Sequence, residues 1–211
     1  RFLHGSQEGF VWAHVLGELQ SMESEGLIRI EHNHYFFTDN TDLTIVDRMK
    51  RKTLANQLLI ESKNWLALIA SFPGVESIAI CNNLAFLNAT DNSDVDLFII
   101  TKPGQLWQTR FFLAALLQLF KKRPSEKTNY GKFCLSFFIT SDKLNISPVL
   151  HDNDPYFEYW FSSLLPIYDP KGLLPTFMEA NRDHWKHIGL EKPRVCTPLK
   201  QRRSKLMQKM E

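Results

Sequence analysis

The sequence predicts an α+β fold in which a small mixed β-sheet carries packed helices. Short apolar segments of strand type alternate with helical segments through the middle of the chain, and helical patterns precede and follow that region. With 44% hydrophobic and 23% charged residues among 211, the composition is that of an ordinary globular protein with a sizeable core. We divide the chain into a helix with a β-hairpin (1–41), a sheet domain with a long leading helix (42–145), and a helical region with a basic tail (146–211).

The N-terminal part is predicted to combine one helix with one hairpin. Apolar residues recur at helical spacing over 8–24, Gly26 ends that helix, and 27–37 has the pattern of a hairpin that turns at 32–33. This arrangement resembles the back half of a winged helix-turn-helix, a DNA-binding unit. Residues 8–25 contain four glutamates and no Lys or Arg, whereas phosphate contacts dominate affinity for DNA. The sequence therefore argues against DNA binding and favours packing of this unit against the rest of the chain or a partner.

A long helical pattern covers 42–71 and stops at Phe72-Pro73-Gly74, because proline cannot continue a helix. Its first half carries a basic cluster formed by Arg48, Lys50, Arg51 and Lys52. Such a cluster is typical of a solvated helix face, and the alternative is that it attracts a polyanion.

The elements that follow build the predicted sheet. In order, we expect a strand at 75–80, a short helix at 83–87, a polar loop at 88–93, a strand at 95–101, a helix at 105–122 and a strand at 132–139. Helices near 153–165 and 173–189 complete the pattern. The most apolar run, FFLAALLQLF, is about half the ~20 residues that cross a bilayer, so we expect a buried helix and no membrane contact.

Two aspartates, Asp94 and Asp96, stand where the polar loop meets the second apolar strand. Side chains two positions apart in a strand point to the same face, so the two carboxylates project together while Val95 and Leu97 face the core. Carboxylates at this spacing suit divalent cations such as Mg²⁺ or Mn²⁺, which complete their coordination with substrate phosphates and assist in-line phosphoryl displacement. The alternative is a polar turn that enters a strand, in which Ser93 and Asp94 serve only as turn residues.

The segment at 82–110, NNLAFLNATDNSDVDLFIITKPGQLWQTR, resembles a group of prokaryotic nucleotidyltransferase-domain proteins within the DNA polymerase beta-like nucleotidyltransferase superfamily. Those proteins carry Gly-Ser-Leu-Ala, then Ser-Asp-apolar-Asp, then Leu-Trp-x-Thr-Arg, and the likeness extends from the hairpin to about Trp185. The resemblance implies a nucleotidyltransferase fold, Mg²⁺ or Mn²⁺, a nucleoside triphosphate (NTP) donor, and Asp94 and Asp96 as catalytic metal ligands. It further implies four nucleotide-binding residues: Asn82, Asn83, Ser93 and Arg110. An ordinary ion pair on its helix is the alternative for Arg110.

The chain departs from that pattern at two places. Asn82 and Asn83 stand where the pattern has Gly-Ser; asparagine tolerates a left-handed turn, and its amide still donates hydrogen bonds. The third carboxylate of many superfamily members is missing from the strand at 132–139. Strict alternation there puts Phe133, Leu135 and Phe137 on one face and Cys134, Ser136 and Phe138 on the other. Asp152 and Asp154 could approach from a loop, or serve only as helix caps.

Other chemically active side chains carry weaker signals. His184 and His187, with Asp183 beside them, lack a third ligand at zinc-binding spacing, so we expect no zinc site.

The three cysteines, Cys81, Cys134 and Cys196, are odd in number and far apart, which favours a reducing, cytoplasmic compartment, as does the absence of a secretory signal. We expect Cys81 to be a buried structural residue. The chain begins at Arg1 rather than at a methionine, so we expect a longer protein to contain it.

Three functional hypotheses remain open from the sequence. The first is an enzyme that transfers a nucleoside monophosphate from an NTP to an acceptor, which is a small molecule, an RNA or a protein hydroxyl. The second is a nucleotide-binding or scaffold module with the same fold and a decayed site, which the Asn82-Asn83 pair and the missing carboxylate favour. The third, a DNA-binding regulator, conflicts with the acidic helix. Neither the acceptor nor the oligomeric state is specified by the residues.

Overall fold

The computed structural model describes residues 12–31, 34–38, 45–125, 128–150 and 154–184. Its first unit contains helix α1 (Trp12–Ser24) and an antiparallel pair of strands, β1 (Ile28–Glu31) and β2 (His34–Phe37). The helix ends as expected at Gly26, whose φ of +72° is the left-handed conformation that glycine adopts without strain. The helix and hairpin are therefore confirmed, whereas the turn at 32–33 lies outside the described residues and the winged-helix likeness stays a prediction.

Helix α2 (Ile45–Ala70) leads into the main domain. Its buried side chains recur at helical spacing, at Ala55, Leu58, Ser62, Leu66 and Ile69. The helix stops just before Phe72-Pro73, as the sequence predicts.

The main sheet has four strands: β3 (Val75–Ile80), β4 (Val95–Thr101), β5 (Phe133–Thr140) and β6 (Leu165–Tyr168). They lie in the order β5-β4-β3-β6, with β4 and β5 parallel and the other pairs antiparallel. Helix α3 (Asn82–Ala85) connects β3 to β4, and α4 (Leu106–Leu119) crosses from β4 to β5. Among the described residues, no helix has the length and apolar character that crossing a membrane requires. The predicted α+β class with a small mixed sheet is confirmed.

The last strand is an element that the sequence pattern does not predict in the mostly helical region after 146. Helix α5 (Pro155–Ser163) is followed at once by β6, which pairs antiparallel with β3, before helix α6 (Leu173–Ala180). The strand has only four residues and contains Pro166, which counts against a strand in sequence analysis. Proline is tolerated here because β6 lies at the edge of the sheet.

Helices cover both faces of the sheet, so β3 is buried at all six of its residues. On one face, α2 and α4 pack against the sheet through leucines such as Leu58, Leu66, Leu113 and Leu117. On the other face, α5 and α6 contribute an aromatic core that contains Trp160, Phe161 and Phe177. We call the second face the aromatic face of the sheet.

A β-bulge in β5 overturns part of the predicted alternation. Asp96 pairs with Cys134 and Phe98 pairs with Phe137, so β5 advances three residues where β4 advances two. Phe137 therefore packs on the aromatic face and Phe138 on the opposite face, the reverse of what strict alternation predicts. The bulge lies directly beside Asp96, at the edge of the aspartate site.

Candidate active site

Asp94 and Asp96 lie at the start of β4, on the aromatic face of the sheet. Val95 and Leu97 are fully buried in the opposite core, whereas both aspartates are half-buried. One ligand atom each from Asp94, Asp96 and Cys134 lie within 4.8 Å of one another. The structure thus brings the two carboxylates together on one face, as the spacing predicts.

Strand β5 supplies a thiol and a hydroxyl at the place where a third carboxylate is expected. The parallel register sets Cys134 opposite Asp96, and no Asp or Glu occurs on β5. The Ser136 hydroxyl donates a 2.6 Å hydrogen bond to Oδ1 of Asp96. A hydrogen bond this short to a carboxylate is charge-assisted and fixes the orientation of the Asp96 side chain.

The electrostatics of this group favour a cation. Burial raises the pKa of Asp94, and the neighbouring Asp96 charge raises it further. Burial also raises the pKa of the Cys134 thiol, and Asp96 and Asp94 add to the shift against an opposing effect of Ser136. Within the described part of the chain, neither aspartate forms an ion pair with Lys, Arg or His.

These donors fit a divalent metal ion. The two carboxylates are the hard oxygen ligands that Mg²⁺ and Mn²⁺ prefer, and their uncompensated negative charge matches a dication. The thiol is a softer donor, which suits a transition metal better than Mg²⁺.

Cys81 lies beside Asp96 and packs in the same aromatic core as Trp160. The Cys81 backbone N–H donates to the Asp96 carbonyl oxygen at 3.0 Å, and the Cys81 side chain is fully buried. Burial and then the Asp96 charge raise the pKa of the Cys81 thiol far above its ordinary value of 9.0, with the nearby Trp160 indole opposing the shift. The buried Trp160 Nε1–H donates no hydrogen bond of normal geometry to any described residue. Cys81 is therefore a neutral, structural thiol, as the sequence predicts.

The Asn82-Asn83 turn adjoins the aspartates because it follows β3 where β4 begins. Asn82 has a φ of +56°, so it keeps the left-handed turn that glycine would make at this position. Its Oδ1 accepts a 3.1 Å hydrogen bond from the Tyr156 hydroxyl, and Asn83 is exposed on the first turn of α3.

Tyr156 is a site residue that the sequence analysis missed. Burial raises the pKa of its hydroxyl, and the nearby Cys81 thiol and the carboxylates of Asp96 and Asp154 add to the shift. The hydrogen bond to Asn82 places the Tyr156 hydroxyl beside the aspartate site. The only local signal is an aromatic-rich helix start, and nothing there specifies a partner 74 residues away. Asp154 caps α5 by accepting from the Tyr156 N–H at 2.9 Å, and Asp152 lies outside the described residues.

Ser93 shapes the loop that presents Asp94. Its hydroxyl accepts from the Thr90 N–H at 2.8 Å, and its own N–H donates to the Thr90 carbonyl at 3.1 Å. The Gly131 N–H donates to the Ser93 carbonyl at 3.2 Å, which ties the loop to the start of β5. The hydroxyl is thus used in a turn, which agrees with the turn-residue alternative for Ser93.

The basic cluster of α2 holds the same loop from the other side. Arg48 donates to the carbonyls of Leu87 at 2.6 Å and Phe86 at 3.3 Å, where α3 has just ended. Leu87 has a φ of +54°, which is rare for a non-glycine residue. Two weaker contacts follow along the loop, from Arg51 to Asn88 at 3.5 Å and from Lys50 to Asp91 at 3.8 Å. Three of the four basic residues therefore contact the loop between α3 and β4, and the fourth, Lys52, is exposed.

The remaining candidates lie apart from the aspartates. The Arg110 guanidinium stacks over Phe138, 4.9 Å from the ring centroid, on the face that α2 and α4 cover. Phe138 pairs with Ile99, about 10 Å along β4 from Asp96, so the structure does not bring Arg110 to the site. His184 ends a short 3₁₀ turn (Arg182–His184), and His187 lies outside the described residues. Among the described residues, Asp94, Asp96 and Cys134 form the one group of three ligand-type side chains close enough together to hold a metal ion.

The chain was compared with family models and with curated proteins. No family model matches it, and no curated protein matches it.

Proposed function

We propose that this protein is a metal-dependent nucleotidyltransferase that moves a nucleoside monophosphate from an NTP to an acceptor. The observation that carries the proposal is the convergence of Asp94 and Asp96 on one face, with donor atoms within 4.8 Å and no neutralising cation from the described chain. The resemblance of the segment at 82–110 to the DNA polymerase beta-like superfamily supports the same conclusion. Asp94 and Asp96 would hold Mg²⁺ or Mn²⁺, which neutralises the triphosphate and stabilises the leaving pyrophosphate.

The side chains around the pair have separable roles in this proposal. Ser136 holds one oxygen of Asp96 and so orients the carboxylate. Asn82 keeps a left-handed turn without glycine, and Tyr156 fixes its amide oxygen, which leaves the amide N–H₂ to donate to a phosphate oxygen. Ser93 and Arg48 hold the two ends of the loop that presents Asp94.

Among the described residues, the geometry supports a site that binds substrate through a metal ion and the Asn82 amide rather than through the basic side chains of α2 and α4. Arg110 is placed on Phe138, and the charged ends of Arg48 and Arg51 are directed to the loop. Affinity for the NTP is therefore expected to depend steeply on the divalent ion. Free Cys81 and Cys134 suit a reducing compartment, so we place the activity in the cytoplasm.

Calorimetric titration tests this proposal. Wild-type protein is titrated with each NTP in the presence of Mg²⁺, of Mn²⁺ and of EDTA, and the titrations are repeated on the double variant Asp94→Asn/Asp96→Asn. We expect metal-dependent NTP binding by the wild type and its loss in the double variant. Asp142→Asn, which changes an exposed aspartate in the turn after β5, is the matched control and should bind as the wild type does.

Turnover separates the enzyme from the binding module. The same variants are incubated with α-³²P-labelled NTP and with small molecules, total RNA or protein, and transferred label and released pyrophosphate are measured. Absence of NTP binding overturns the proposal, and binding that survives unchanged in the double variant overturns the metal assignment. Binding without label transfer favours a nucleotide-binding or scaffold role instead.

A further inference from the structure

We propose that Cys134 is the third protein ligand of the metal held by Asp94 and Asp96, so that the site prefers a first-row transition-metal dication to Mg²⁺. The inference rests on the proposed function only in assuming that the two aspartates bind a metal. It names the ion class that this chain's own donors select.

The sheet register places the thiol where a ligand must be. Cys134 pairs with Asp96 on the neighbouring parallel strand, and its Sγ belongs to the group of donor atoms within 4.8 Å of one another. Bond lengths of about 2.0–2.3 Å to oxygen and sulfur put ligand atoms on one ion about 3–4 Å apart, so shifts of about 1 Å close the group. The bulge that begins after Cys134 gives the strand room for such shifts.

The donor set then determines the ion. Mg²⁺ demands oxygen ligands in near-ideal octahedral geometry, whereas thiolate ligands favour softer ions. For a given protein site, the affinity for first-row dications rises from Mn²⁺ through Fe²⁺ to Co²⁺. Ser136 orients Asp96 from outside the group, as partners of metal ligands commonly do. When the ion binds, the Cys134 S–H bond breaks, a sulfur–metal bond forms, and the proton leaves to solvent without any change of oxidation state.

The other described cysteine does not take this role. Cys81 flanks Asp96 on the opposite side through its backbone, yet its thiol packs in the aromatic core beside Trp160 and is outside the donor group. Cys81 directly follows β3 and Cys134 lies on β5, with β4 between them, so their backbones are about 9–10 Å apart and too distant for a disulfide without backbone movement.

Cobalt spectroscopy tests the assignment directly. The full chain is titrated with Co²⁺, and the intense near-ultraviolet thiolate-to-cobalt charge-transfer absorption is recorded together with the heat of binding. We expect the band in the wild type and in Cys81→Ala, and its loss in Cys134→Ser. We also expect Cys134→Ser to weaken Co²⁺ binding by at least about 10-fold, the loss typical even of outer-shell partners, with Mg²⁺ affinity changed far less. Cys134→Asp should raise Mg²⁺ affinity by supplying a third oxygen ligand.

The outcomes distinguish this inference from the proposed function. Co²⁺ binding without the band overturns the role of Cys134 and leaves the aspartate metal site standing. A band that survives in Cys134→Ser comes from Cys81 or Cys196, and a band lost equally in Cys81→Ala and Cys134→Ser denies Cys134 its separate role; both results overturn the inference. Absence of any Co²⁺, Mn²⁺ or Mg²⁺ binding overturns the proposed function as well. Circular dichroism of each variant verifies that the fold is retained.

Discussion

The hydrogen bond between Ser136 and Asp96 determines how the second aspartate is presented. At 2.6 Å it spans two parallel strands, so it fixes the Asp96 carboxylate to the sheet rather than to a loop. A ligand held in this way loses less rotamer freedom when it binds an ion. In the proposed metal site, Ser136 therefore supports a ligand rather than acting as one.

Ser136→Ala is predicted to weaken Mn²⁺ binding by about 10-fold while the fold stays intact, because the carboxylate loses its orienting donor. The cost to the free energy of unfolding should be about 1.5–3 kcal/mol, as for a single hydrogen bond to a charged group. Mn²⁺ titration and urea unfolding measure the two effects. Ser71→Ala, which removes a hydroxyl that bonds only its own helix, serves as the control and should leave Mn²⁺ affinity unchanged. Equal affinities in Ser136→Ala and the wild type would contradict the supporting role.

Asn82 shows how one residue can replace glycine at a turn. Its φ of +56° lies in the left-handed region, where asparagine is several-fold enriched among non-glycine residues. The side-chain amide oxygen of Asn82 accepts a hydrogen bond from the Tyr156 hydroxyl at 3.1 Å. The backbone conformation at this position was thus predictable from residue type, whereas the partner of the side chain was not.

At the scale of elements, the start of α2 acts as a clamp on the loop between α3 and β4. Arg48 donates to two carbonyls at the end of α3, and one of them belongs to Leu87 in its uncommon conformation. Terminal carbonyls of a helix need external donors, and a guanidinium satisfies two at once. Within the described part of the chain, the contacts of Arg48, Lys50 and Arg51 are with the loop and not with the aspartates, so the clamp acts by positioning the loop.

Arg48→Ala is predicted to lower the free energy of unfolding by about 1.5–3 kcal/mol, because it leaves two partly buried carbonyls without their charged donor. Arg48→Lys should recover only part of this loss, since an ammonium cannot reproduce the two-pronged geometry. Urea unfolding gives these values. Lys52→Ala, an exposed change on the same helix, should shift the free energy by less than about 0.5 kcal/mol. A loss in Lys52→Ala as large as in Arg48→Ala would show that helix charge, rather than the clamp, matters.

The strands differ in how far local pattern predicts them. β3 and β4 occur at the predicted positions, because each is a continuous apolar run bounded by turn residues. β6 was missed because four residues with a proline carry no periodic signal, and its pairing with β3 is a tertiary effect. The bulge in β5 reversed the faces of Phe137 and Phe138 for the same reason: which face each ring takes depends on tertiary packing, such as the contact of Phe137 with Trp160.

At the scale of the whole molecule, the site is assembled from four segments of the chain: the Asn82-Asn83 turn, the start of β4, strand β5 and the start of α5. Asp94 and Asp96 were predictable because they share one strand and one spacing. Cys134 and Ser136 were predicted to share one face of their strand, but their positions beside Asp96 depend on the β4–β5 register. The position of Tyr156 in the site depends on how α5 packs on the sheet. The position of Arg110 away from the site depends on which face α4 covers. Local sequence pattern specifies neither. Chemistry was thus predictable within a strand, and convergence between segments was not.

The opposite end of the sheet holds a buried charge that ties the fold together. Glu76, near the start of β3, is only 6% exposed, and Lys171 from the segment between β6 and α6 donates to its Oε1 at 2.6 Å. Burial alone would raise the pKa of Glu76, but the hydrogen bond from Lys171, the nearby Ser141 hydroxyl and the charges of Lys171 and Lys102 outweigh it and lower the pKa below the ordinary 4.5. The ionised form is therefore the one that the native state stabilises.

Because the pKa of Glu76 is lowered in the folded state, the free energy of unfolding of the domain depends on pH. A carboxyl whose pKa is lower in the folded state contributes stability above the unfolded pKa, and the contribution disappears as pH falls through the folded pKa. Glu76→Gln keeps the size of the side chain and removes the titration. We therefore predict that the wild type exceeds Glu76→Gln in free energy of unfolding at pH 7 and that the difference shrinks as pH falls below about 4.5. Urea unfolding from pH 7 to pH 3 measures this difference, with exposed Glu179→Gln as the matched control; a difference that stays constant over that range would contradict the lowered pKa.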